Sequence, residues 1–157
     1  MAIRQIRLEG DPILRKKSKE VKLIDEKIIQ LAQDMIETMR DANGIGLAAP
    51  QVGILKRIIV IEGEDNPIIA INPKIVYSEG EITDLEGCLS VPGFSGFVKR
   101  PEKITVEYTN EKNENIVIDV NGYFARVFLH EIDHLDGILY IDVAEKIFRE
   151  QEEKEEV

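Results

Sequence analysis

The sequence predicts an α+β fold: antiparallel strands packed around one central, histidine-bearing helix, with a further helix in the N-terminal half and a short helix at the C-terminal end. Three observations carry that expectation. Residues 24–40 show amphipathic helical spacing, residues 122–137 show a nearly all-apolar helical run, and between them lie short β-branched segments divided by turn residues rather than by helices. At 157 residues the chain has the size of one domain, and 1–157 is expected to form a single one.

In the first helix Ile24, Ile28, Leu31, Met35, Ile36 and Met39 recur at intervals of three and four, which lines up one buried stripe, and Asp25 is placed to cap its start. Its two methionines read as core filling. A glycine-punctuated loop, Asp41-Ala42-Asn43-Gly44-Ile45-Gly46, follows. Strands are then expected over 57–61, 67–71, 74–77, 103–108 and 115–120. Glu64-Asp65-Asn66-Pro67 and Asn110-Glu111-Lys112-Asn113 are turn sequences, so the strands should pair antiparallel. The second helix begins at Gly122 with Asn121 as cap and stops at Gly137; Phe124, Val127, Phe128, Leu129, Ile132 and Leu135 make it apolar on almost every side. Such a helix belongs in the middle of a domain. Residues 143–157 read as a charged helix or frayed tail, with 143–149 packing back through Ile147 and Phe148 and the remainder mobile and free of chemistry.

Composition narrows the function. A net charge of −10 and a sequence pI of about 4.8 argue against broad binding to nucleic acid or an anionic membrane. The chain has no apolar run of membrane-spanning length and its first residues lack the pattern of a signal peptide, so the cytoplasm is the expected location. Cys88 is the only cysteine, which excludes an intramolecular disulfide and leaves core filler, nucleophile or metal ligand.

The central helix carries His130-Glu131-Ile132-Asp133-His134. Positions four apart differ by about 40° around a helix axis, so both imidazoles face one way and can share an ion. These are the only two histidines. Blind placement would space them so about once in 80, which favours a metal pair over two satisfied core histidines. A catalytic metal commonly takes three protein ligands, and Cys88, in Glu86-Gly87-Cys88-Leu89-Ser90, is the one remaining soft donor. The loop 44–53 formally fits a dinucleotide fingerprint through Gly44, Gly46 and Ala49. A helix precedes it and Pro50 prevents one from opening, so that match is discarded, while Gln51 stands out as a donor to a substrate oxygen.

Together 44–53, 86–90 and 130–137 resemble the three signature segments of the peptide deformylases, in that family's order. The resemblance implies a metal-dependent hydrolase that removes the formyl group from the N-terminal formyl-methionine of newly made polypeptides. It implies Cys88, His130 and His134 as ligands of one Fe(II), replaceable by Zn, Ni or Co, with Glu131 handling the proton and Gln51 and the Leu89 N–H holding the formyl oxygen. Gly46 and Gly87 would contact the peptide, and Ile45, apolar residues near Ile54, and Leu129 would wall the methionine side chain. Two departures stand against the family pattern: Gly93-Phe94-Ser95-Gly96-Phe97 where relatives carry basic or polar residues, and an acidic tail where some relatives dock on the ribosome. A transient ribosome contact is therefore expected to avoid the tail, with no direct nucleic-acid or membrane binding. A metallopeptidase would share the histidines and Glu131 but not Cys88 or Gln51; a structural zinc site would want a fourth Cys or His, which is lacking.

Overall fold

The periodic segments become helices near the expected bounds. In a computed structural model, which describes residues 2–150, α1 spans Glu26–Asp41 and α2 spans Gly122–Leu135. Asp25 caps α1 by accepting from the Ile28 N–H at 3.0 Å. Asn121 precedes α2 as predicted, but its side chain makes no capping hydrogen bond.

Strands β1 (Gly46–Ala48), β2 (Ile58–Ile61), β3 (Ile68–Glu79), β6 (Lys103–Thr109) and β7 (Asn115–Asn121) form one antiparallel sheet in the order β1-β2-β3-β6-β7. Strands β4 (Ile82–Cys88), β5 (Val91–Arg100) and β8 (Lys146–Arg149) form a second, in the order β4-β5-β8. The larger sheet lies between the helices. Ile58, Val60, Ile69 and Ile71 pack with Leu31, Met35 and Met39 of α1, whereas Ile59, Ile61, Ala70, Ile104 and Val106 pack with Ala125, Phe128, Ile132 and Leu135 of α2. Alternate β2 residues thus serve opposite cores, which is why this strand is an unbroken apolar run.

Three expectations change. The separate strands 67–71 and 74–77 are one strand, β3, whose register shifts between Ile71 and Lys74. Pro73 cannot donate to the ladder, and Asn72 takes a left-handed conformation, φ 54°, held by its side chain bonding both Val21 N–H and Val21 C=O at 2.8 Å. Residues 82–100, for which the sequence predicts no strand, form the β4–β5 hairpin. The tail is not a charged helix from Val143: α3 is a single turn, Tyr140–Val143, and Lys146–Arg149 form β8 on the edge of β5. The open backbone of β5 offers this segment paired hydrogen bonds that an exposed helix would not exceed. Residues 143–149 do pack back; of the remainder, 150–157, expected to be mobile, Glu150 is instead held by the Gly93 carbonyl and Ser95 Oγ, and residues 151–157 lie outside the described ones.

Candidate metal centre and active site

The β4–β5 hairpin brings Cys88 to α2. Cys88 Sγ, His130 and His134 each present a ligand atom within 4.8 Å of the others, and Sγ lies 3.4 Å from His134 Nε2. Sulfur and nitrogen ligands at ordinary zinc-like distances, subtending a tetrahedral angle, stand about 3.6 Å apart, so the donor set fits one divalent ion. His130 donates from Nδ1 to Glu86 Oε1 at 2.9 Å, which leaves its Nε2 for the centre. The Ser90 N–H, at 3.4 Å, and Gln51 Nε2, at 3.7 Å, approach the sulfur.

Behind the histidine stands a buried ionic cluster. Glu86 accepts from Arg100 Nε and Nη2 at 2.9 Å and from Arg126 Nη1 at 2.8 Å, and Arg100 Nη1 donates to Asp133 at 2.7 Å. Burial alone would raise the Glu86 carboxyl, but the Arg100 fork and the His130 bond outweigh it and hold it at about 2. Burial opposes a charge on His130, while the Cys88 sulfur and Glu86 lift it to about 10: the environment attracts a cation. His134 is held well below its ordinary value by burial first and by the nearby His130 and Arg100 second.

Glu131 is also buried, which raises its carboxyl to about 7 against the pull of His130, and its Oε1 has no hydrogen-bond partner among the described residues. Gly46 makes room for it, since a Cβ there would lie 2.6 Å from Glu131 Oε2. Gln51 is fixed at both ends of its amide, accepting from the Ala48 N–H at 2.9 Å and donating to Ser90 Oγ at 3.0 Å. Leu89 sits on the turn joining β4 to β5; its side chain fills the space over Gly44, where a Cβ would meet Leu89 Cδ1 at 2.7 Å.

A cleft of about 430 Å³ runs past these groups, lined by Ile45, Gly46, Gln51, Gly87, His130 and Glu131 among others. Leu129 is not on it. One residue before His130 is rotated by about 100°, which turns Leu129 into the α2 core; Val127, three residues before His130, lines the cleft instead. Ile54 packs beneath α1, away from the cleft. Sequence reasoning assigned no role to Glu86, Arg100, Arg126 or Val127. Arg126 four residues before His130, on an otherwise apolar helix, was the available signal.

The polypeptide deformylase family model matches residues 3–150. The chain belongs to this family. It is 53% identical over 152 residues to a peptide deformylase of Acetivibrio thermocellus, covering 97% of this chain and 89% of that protein. It is 52% identical over 157 residues to one of Finegoldia magna, covering 98% and 97%. The crystal structure of peptide deformylase from Thermotoga maritima superposes with a TM-score of 0.89 at 42% identity, covering 92% of this chain and 99% of that one. That of a Synechococcus elongatus peptide deformylase in complex with actinonin gives 0.87 at 43%, covering 90% and 78%. Membership makes the chain a metal-dependent amide hydrolase that removes the formyl group from the N-terminus of new polypeptides, and no helix among the described residues is long and apolar enough to cross a membrane.

Proposed function

We propose that Cys88, His130 and His134 hold one Fe(II), for which Zn, Ni or Co can substitute, and that Glu131, Gln51 and the Leu89 N–H carry out the deformylation. The unpartnered Glu131 Oε1, buried beside three soft donors, carries this reading. When bound, the ion supplies Lewis acidity toward water and the formyl oxygen. Glu131, with a carboxyl near 7, takes the proton of the attacking water and delivers it to the departing amine. Gln51 Nε2 and the Leu89 N–H donate to the formyl oxygen as it gains charge, and the bonds that fix Gln51 mean little reorganisation is needed. Ile45, Gly46, Gly87 and Val127 flank the methionyl residue.

Residues 1–157 act as one catalytic domain in the cytoplasm, on formyl-methionyl nascent chains. Any ribosome contact is transient and does not run through the acidic C-terminal residues: between 145 and 157 six carboxylates face three bases, a field that repels RNA. Formate release from a formyl-Met peptide, measured alongside metal content of anaerobically purified protein, tests the assignment. One metal per chain with formate release is expected; no release from metal-loaded protein refutes it.

A further inference from the structure

The cleft continues past the ligands. Beyond Gly87 it is bounded by Gly93, Phe94 and Glu150. Glu150 is fixed there twice, its backbone N–H donating to the Gly93 carbonyl at 2.9 Å and its Oε2 accepting from Ser95 Oγ at 2.7 Å. A Cβ built on Gly87 would stand 4.0 Å from Glu150 Oε2, so the carboxylate lines the cleft beside the residue that precedes Cys88. The other charges on the cleft are committed. Glu86 and Arg126 neutralise each other, and His130 and Glu131 belong to the reacting centre. Glu150 forms no ion pair among the described residues, and its neighbour Arg149 is turned onto the Phe94 ring, 5.2 Å from its centroid.

We propose that Glu150 is a specificity-determining residue that selects formyl-methionyl chains carrying Lys or Arg at the second or third position. This rests on the deformylase reading of the site. An extended peptide advances about 3.3 Å per residue, so with its formyl group at the ligands the next side chains pass Gly87 within reach of a lysine stem. Among the described residues no cation pairs with the carboxylate, and Ser95 holds it without neutralising it. The segment Gly93-Phe94-Ser95-Gly96-Phe97 carries no base of its own.

The test compares kcat/KM of the metal-loaded full chain on formyl-Met-Lys-Ala, formyl-Met-Ala-Lys and their Glu counterparts at low salt. Exposed pairs of this kind support a Lys-to-Glu ratio of about threefold. That ratio should fall to about one in Glu150→Gln, and in wild type at about 1 M salt, where the screening length shrinks to about 3 Å. Because each ratio is taken within one enzyme, a change in folded fraction cancels. A wild-type ratio of one or below, or a ratio unchanged in Glu150→Gln, overturns the proposal. Failure to hydrolyse any of the four peptides overturns the deformylase reading instead.

Discussion

Replacing Glu86 by glutamine would test whether the ionic cluster behind His130 holds the centre together. The carboxylate accepts four hydrogen bonds of 2.8–2.9 Å, three of them from two guanidinium groups that are almost wholly buried. Its fall from an ordinary 4.5 to about 2 corresponds to about 3 kcal/mol of folding free energy. Stranding buried cations by removing one partner costs about 3–5 kcal/mol in comparable cases, so the two routes agree. The sign follows from the depressed value: the contribution is complete above pH 4.5, is about half gone near pH 3.3, and is lost as pH falls through about 2. Urea unfolding of the metal-free Glu86→Gln protein should therefore show a deficit of about 3 kcal/mol at pH 7 that narrows on acidification. Metal titration should show affinity weaker by about 10–100-fold, because the imidazole loses its charged orienting partner. A deficit under about 1 kcal/mol at pH 7, or one that does not shrink toward pH 3, would refute the reasoning.

Glu131→Gln should retain the metal by elemental analysis while formate release drops about 10²–10⁴-fold, since the proton carrier goes and the ligands stay. Gly46→Ala should also keep its metal, yet lose kcat by at least about tenfold, because the added methyl displaces the Glu131 carboxylate it would meet at 2.6 Å; unchanged kcat would show that Glu131 need not sit where it does. Iron-loaded protein should lose activity in air while nickel-loaded protein keeps it, a thiolate beside Fe(II) being open to oxidation; equal lifetimes would argue against Cys88 as a ligand.

What could be read from the sequence was what is local. The stripe from Ile28 to Met39 and the cap at Asp25 concern neighbours three or four residues apart, so α1 was legible; His130 and His134 share a helix face for the same reason. The β4–β5 hairpin was not legible, because Gly87, Pro92, Gly93 and Gly96 read as breakers, and only the cross-strand register, Leu85 opposite Phe97 and Glu86 opposite Gly96, makes strands of them. Glu86 meets Arg100, Arg126 and His130 across 14, 40 and 44 residues, pairings that no window along the chain reveals. The resemblance implies Leu129 as a wall, but the residue next to His130 on a helix is rotated away from it, and Leu129 packs on the core instead. Glu150 belongs by sequence to the acidic tail, but β8 carries it back to the cleft.

Gly96 has a further role. A Cβ on it would lie 2.8 Å from the Lys146 carbonyl oxygen and 3.3 Å from Tyr140 Cε1, so the absence of a side chain lets β8 dock against β5. With β8 in place the sheet ends on a strand bearing Lys146 and Arg149, charges that discourage further pairing. With β8 displaced it would end on Phe94, Ser95, Gly96 and Phe97, a stretch with two aromatics and open backbone donors that another molecule's strand could join. A bulkier residue at position 96 would then register first as a loss of solubility that grows with protein concentration.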